Sequence, residues 1–269
     1  YIPRWEKLYL EKHAPAPKRH HRVPWTAILT SKPVYAIWIC TASYASTLAI
    51  VMSYLPQYLR DELDIPLSKN GLYTAVPFAS MFVSKIVLAI IADRLKKSGR
   101  MSHTKCAKMF QSIYCVGCVF ALSGLALFTN CEYPMVAVAL LFVYGALFSA
   151  GICGFFTANL SIAPIHSGTL TSMINFAAAL SNAAATQLFS LIQEQTPDHV
   201  WKIMYFSCAV INIISLIFFL FWGSAEVQPW AVDDGTSERL PDHSKDESNK
   251  PLLEDLLDDL LDYKVDYEE

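Results

Sequence analysis

Four hydroxyls, on Tyr44, Thr47, Tyr54 and Tyr58, fall within an arc of about 80° when residues are counted at about 100° each around a helix. They sit in the stretch from Pro33 to Leu59, which carries no formal charge between Lys32 and Arg60. Hydroxyls so placed can line a cavity crossed by a polar solute, or they can bond to neighbouring helices, since a phenol joins an apolar body to a polar tip. A second set, Asn175, Ala178, Asn182 and Thr186, shares one face of a later stretch that is poor in bulky side chains. The same two uses stand open there: a substrate route, or a small-residue packing face in which asparagines link helices. Lys85 is the one formal charge inside an apolar run and can serve an anionic solute. It also lies about 9 Å from the end of its run by helical rise, so its stem can instead reach the interface.

Enzyme chemistry finds little support in these residues, and no catalytic set or metal site is expected. The histidines, His13, His20, His21, His103, His166, His199 and His243, all fall outside the apolar runs, and none belongs to a pattern such as H-E-x-x-H. The runs offer no facing pair of acids or nucleophiles. Cys115 and Cys118 have the spacing of half a zinc site, but no second pair follows, and their uncharged surroundings favour helix packing. Of the seven cysteines, only Cys131 is expected in a loop away from the cytosol, so no disulfide framework is read.

The elements that must hold these groups are six apolar runs: 33–59, 71–91, 109–129, 135–158, 169–193 and 202–222. At about 1.5 Å per residue the first is long enough to cross a hydrocarbon core roughly 30 Å thick. The chain is 54% hydrophobic and 17% charged, where soluble domains average about 25% charged. The expected fold class is all-α, a polytopic membrane protein of six transmembrane helices. Its expected organisation is a basic cytosolic linker at 1–33, the bundle at 34–223 and an acidic tail at 224–269.

Basic residues set the expected orientation. Seven lie in residues 1–32, six in the loop 92–108 and four after residue 223, whereas the opposite loops hold only Arg60, Lys69 and Lys202. Both termini are therefore expected in the cytosol. Asn159-Leu160-Ser161, the single N-x-S/T sequon, then falls in a cytosolic turn and is expected to stay unglycosylated. From residue 231 the chain carries fourteen acidic residues against four basic ones, a composition that stays solvated. The tail's paired leucines, from Leu252 to Leu261, fit a weak amphipathic helix or a sorting signal, although Ser248 stands where such a signal has an acid.

Several segments then resemble one family in collinear order. They are VPWTAILTSKPVYAI at Val23 to Ile37, SYLPQYL at Ser53 to Leu59, NGLYTAVPF at Asn70 to Phe78, IADRL at Ile91 to Leu95, SIAP at Ser161 to Pro164 and AEVQPWA at Ala225 to Ala231. The resemblance, over about residues 1 to 231, is to the anion:cation symporters of the major facilitator superfamily. That group includes sialin, the vesicular glutamate transporters and the type I sodium-phosphate cotransporters. It implies the carboxy-terminal half of a twelve-span fold: the central loop, then spans seven to twelve. It further implies transport of organic anions, or of phosphate with sodium, coupled to protons, sodium or voltage.

Where the vesicular glutamate transporters carry an arginine in the seventh span, this chain has Tyr44, which is similar to sialin. The family's N-H-L-D-I-A-P pattern reads Ala158 to Pro164 here, with Asn159 and Ser161 in place of the histidine and aspartate. Asp93 and Arg94 are similar to the superfamily's loop signature, which implies a conformational latch.

By their facing, Tyr44, Thr47, Tyr54, Asn175 and Asn182 are the candidate cavity-lining residues for substrate binding, with Lys85 as the candidate charge for an anionic substrate. No cofactor is implied beyond coupling to H+ or Na+. Expected partners are membrane lipid, a small anionic substrate and a missing amino-terminal six-helix half, without nucleic acid. The expected site is the plasma membrane or a lysosomal or vesicular membrane. Because the chain starts at Tyr1, it is expected to be a fragment of a full transporter or a half that needs a partner. The alternative is a truncated, non-transporting scaffold or regulator that pairs with full-length relatives.

Overall fold

The computed structural model describes residues 23–99, 101–128 and 134–231. The expectations for the basic segment before residue 23, for Arg100 and Cys131, and for the acidic tail with its paired leucines lie outside the described residues. A compact unit extends through Ala231.

The described residues are helical, in the order α1 (Trp25–Thr30), α2 (Lys32–Asp61), α3 (Leu67–Lys97), α4 (His103–Phe128), α5 (Pro134–Phe148), α6 (Thr157–Ile162), α7 (Ser167–Gln195) and α8 (Val200–Trp222). Local chemistry places the ends. Pro33 sits in the first turn of α2, where its missing N–H costs nothing. Arg94, Lys96 and Lys97 occupy the last turn of α3, where cations complement the helix dipole. Gly99 then takes φ +65°, the left-handed backbone that ends the helix cheaply. The Ser102 hydroxyl accepts the Lys105 N–H at 3.3 Å and caps α4.

The helices outrun the apolar stretches that announce them. The run read as 71–91 becomes Leu67–Lys97, because backbone hydrogen bonding continues after charged residues leave the hydrocarbon. Five of the spans have both the length and the apolarity to cross a membrane: α2, α3, α4, the continuous α5–α6 rod and α8. The sixth long helix, α7, has 29 residues but is not among those five. Asn175, Asn182, Gln187 and Gln193 dilute it, and it joins the bundle by packing along α2.

Packing does not follow chain order. α4 lies against α5 and α8, α3 against α5, and α2 against α7 and α8. The α3–α5 crossing is close enough that a Cβ on Gly145 would stand 2.4 Å from the Pro77 carbonyl oxygen. Between α5 and α6 the chain makes one π-helical stretch, Ile152–Phe156. The Phe155 N–H donates to Gln111 Oε1 of α4 at 3.3 Å, and the Thr157 hydroxyl donates to the Ile152 carbonyl at 3.0 Å. A buried side-chain amide thereby serves a backbone donor at a turn whose ladder is offset.

One buried core joins the middles of α2, α4, α5 and α8. A second gathers α1, the start of α2, α6 and the residues after α8. There the Gln228 N–H donates to the Ile162 carbonyl at 2.9 Å and the Ala225 N–H to the Thr104 hydroxyl at 3.0 Å, so the segment after Trp222 is bound back onto the bundle.

Candidate functional site

The hydroxyl arc of α2 meets other helices over most of its length. The Tyr44 ring, partly buried, stacks on Phe148 at 4.2 Å between centroids, with Tyr114 at 5.6 Å and Phe155 at 5.3 Å. Thr47 is 1% exposed, and its hydroxyl oxygen accepts Asn212 Nδ2 of α8 at 2.9 Å. Tyr54 stacks on Phe189 of α7 at 3.8 Å, with the rings 17° from parallel. Tyr58 is buried, donates its hydroxyl to the Leu125 carbonyl at 3.4 Å and stands edge-on to Trp201 and Tyr205. Thr47 and Tyr58 therefore line no open surface in this structure, while Tyr44 and Tyr54 keep partial exposure.

The seam behind this arc is polar as well as aromatic. Asn212 also donates to the Cys208 carbonyl at 2.8 Å, the Ser215 hydroxyl donates to the Asn212 carbonyl at 3.1 Å, and Cys115 Sγ lies 3.6 Å from Ser215 Oγ. Interhelical hydrogen bonds of this kind hold membrane helices in register. Asn212, Ser215 and Gln111 were not singled out in the sequence. Asn212 carries the sole side-chain amide in α8, and that singularity was the available signal.

α7 shows the opposite behaviour. Asn175 and Asn182 are exposed, and among the described residues their side chains make no hydrogen bond. Thr186 bonds back to its own helix, donating to the Asn182 carbonyl at 3.2 Å. On α2 the face left open is Ala42, Ser46, Ala49 and Ser53, a strip of small residues that the hydroxyl count passed over. At its carboxy-terminal end Asn70 Nδ2 of α3 donates to the Pro56 carbonyl at 2.8 Å.

The charged candidates stand apart. Lys85 is exposed on α3, twelve residues before Lys97, or about 18 Å by helical rise. No hydrogen bond or ion pair joins it to Asn175 or Asn182 among the described residues. Asp93 and Arg94 are exposed on the last turns of the same helix and form no ion pair within the described residues. The structure thus brings Tyr44, Thr47 and Tyr54 into contact with the interior, leaves Asn175, Asn182 and Lys85 on the surface, and does not join the two groups.

The family model of the Major Facilitator Superfamily matches residues 5–186. The chain belongs to the major facilitator superfamily. Human sialin is 30% identical over 223 residues, covering 81% of this chain and 43% of sialin. A putative inorganic phosphate cotransporter of Drosophila melanogaster is 29% identical, covering 86% of this chain and 42% of the relative. Vesicular glutamate transporter 1 of Xenopus tropicalis is 25% identical, covering 87% and 41%. The chain therefore spans less than half the length of these relatives.

As a superfamily member it is an integral, multi-pass membrane protein of a transporter family. Two of its departures from the anion-symporter pattern have a structural place. Asn159 is 1% exposed and donates its amide to Thr171 Oγ1 at 3.3 Å, which also removes that sequon nitrogen from solvent. Ser161 donates to the Thr157 carbonyl of its own helix at 2.9 Å. Both residues make neutral bonds, one to α7 and one within α6, where the pattern has ionisable groups.

Proposed function

We propose that this chain is the carboxy-terminal half of a carrier that moves a small organic anion, such as an acidic sugar or acidic amino acid, by ion-coupled symport. The carrying observation is the superfamily match over residues 5–186, together with relatives named for anionic cargo. Carriers of this superfamily place substrate near the bilayer midplane between two six-span halves and alternate access by rocking one against the other. In that frame Asn175 and Asn182, exposed amides on α7, donate hydrogen bonds to an anion. Lys85 supplies the positive charge. Tyr44 and Tyr54 present their free edges from α2, and Thr47 holds α2 against α8. Asp93 and Arg94, which form no ion pair among the described residues, latch another conformation of the cycle with groups of the missing half. Coupling is to H+ or Na+, both termini are cytosolic, and the membrane is the plasma membrane or a lysosomal or vesicular one.

The test is uptake into proteoliposomes by the full-length product that contains this chain, with sialic acid, glutamate, urate and phosphate as tracers. Saturable uptake of one organic anion that an inward proton or sodium gradient increases is the expected result. Lys85→Met should raise KM for that anion. Uptake of phosphate alone, or no uptake above protein-free vesicles, would overturn the reading.

A further inference from the structure

The turn between α7 and α8 joins two helices that then part company. Consecutive in the chain through Pro197–His199, they touch little, and both pack on α2 instead. Their divergence opens a crevice of about 370 Å³, floored by Ser46 of α2 and walled by Ser181 and Ala184 of α7 and Ser207 and Ile211 of α8. Three of its four serines are satisfied within their own helices. Ser46 donates to the Ala42 carbonyl, Ser181 to Ala177 at 2.8 Å and Ser207 to Ile203 at 2.7 Å, each within its own helix. Ser43, the fourth serine of the lining, is 0% exposed and its hydroxyl has no partner among the described residues, so the hydroxyls an occupant reaches are the three partly exposed ones, which are satisfied.

A shallower groove of about 510 Å³ runs along α8 from Lys202 past Phe206 and shares Ser207 and Ile211 with the crevice. The two form one track. From Lys202 to Ile214, which lines the crevice, is twelve residues, or about 18 Å of helical rise. That is close to one leaflet, half of a hydrocarbon core about 30 Å thick. Lys202 is exposed and has no ion-pair partner among the described residues. A polypeptide helix about 10 Å across would need about 1,400 Å³ over the same length, more than crevice and groove hold together. The crevice is sized for a hydrocarbon chain, and the track ends on a cation.

We infer that the α7–α8 crevice seats an acyl chain of a phospholipid whose anionic headgroup lies at Lys202. The interaction is separate from cargo transport, since it uses neither Lys85 nor Asn175 nor Asn182. Native mass spectrometry of the full-length product, stripped of lipid and titrated with phosphatidylglycerol or phosphatidylcholine, tests it. The expected result is one tight phosphatidylglycerol. Lys202→Gln should weaken it up to about five-fold, the ratio for an exposed ion pair of at most about 1 kcal/mol, while leaving phosphatidylcholine unchanged. Ala184→Leu, at an exposed position whose longer side chain enters the crevice, should weaken both lipids. Lys69→Gln, an exposed cation away from the track, should weaken neither. Equal binding of the two lipids by the unaltered protein, or unchanged phosphatidylglycerol binding in both Lys202→Gln and Ala184→Leu, would overturn the inference. So would a dimer that Ala184→Leu dissociates, which would give the crevice to a second copy.

Discussion

On α2 the arc of Tyr44, Thr47, Tyr54 and Tyr58 turns into the bundle, whereas on α7 the arc of Asn175 and Asn182 stays on the surface. Both arcs have helical spacing inside an uncharged stretch, so the pattern of polar positions is the same. Their chemistry differs. A tyrosine carries a large ring that gains by stacking, and Tyr44 finds three aromatic neighbours while Tyr54 finds Phe189. A primary amide has little apolar area to bury and demands partners for its donors and its acceptor. Asn212 shows what inward placement requires: Thr47 and the Cys208 carbonyl accept its N–H groups, and Oδ1 is still unpartnered among the described residues. A polar arc on a membrane helix gives the axis of asymmetry, and side-chain bulk decides which way it points.

The strongest attempt to break the comparison removes ring mass from the inward arc. Tyr44→Ala should destabilise the protein by about 3 kcal/mol through the cavity left among Phe148, Tyr114 and Phe155. Tyr44→Phe should change stability by less than about 0.5 kcal/mol. Denaturant unfolding followed by tryptophan fluorescence in one detergent would read both. A large loss in Tyr44→Phe would mean that the hydroxyl, and not the ring, fixes the arc's direction.

Next in size is the polar tie behind that arc. Asn212→Leu should cost about 1 kcal/mol, since hydrogen bonds between membrane helices average about 0.6 and reach about 1.7 kcal/mol. Thr47→Val should cost a similar amount, and the double variant less than the sum, because each single change already removes the 2.9 Å bond. Additive losses would show that α2 and α8 are held by packing alone.

Much of this architecture was legible in the residues. Apolar runs marked six long helices, and the collinear segments from Val23 to Ala231 carried the family. The run 169–193 counts with the other five as apolar, but Asn175, Asn182, Gln187 and Gln193 give α7 a membrane helix's length without the apolarity of the other five spans. The facing of each helix was hidden, since angular position is read from one helix while burial is set by its neighbours. Thr47 looked like part of a lining because its partner Asn212 is 165 positions away in the chain. The π-helical stretch was hidden for the same reason: its backbone donor is met by Gln111 from α4.

The smallest effect on stability, and the sharpest on function, belongs to the outward arc. Asn175→Ala and Asn182→Ala touch exposed amides without hydrogen bonds among the described residues, so each should change stability by less than about 0.5 kcal/mol. If the amides meet the cargo, each should still raise KM for the transported anion. Exposure to water can be separated from exposure to lipid by chemistry. A thiol must ionise to react with a maleimide, and it does so in water but not in hydrocarbon. In a Cys131→Ser background, a membrane-impermeant maleimide should label Asn182→Cys about ten-fold faster or more than Thr47→Cys, whose site is 1% exposed. Added transported anion should slow the labelling. Equal, slow labelling at both positions would place Asn182 against lipid or another helix, and the two arcs would then differ only in depth and no longer in solvent.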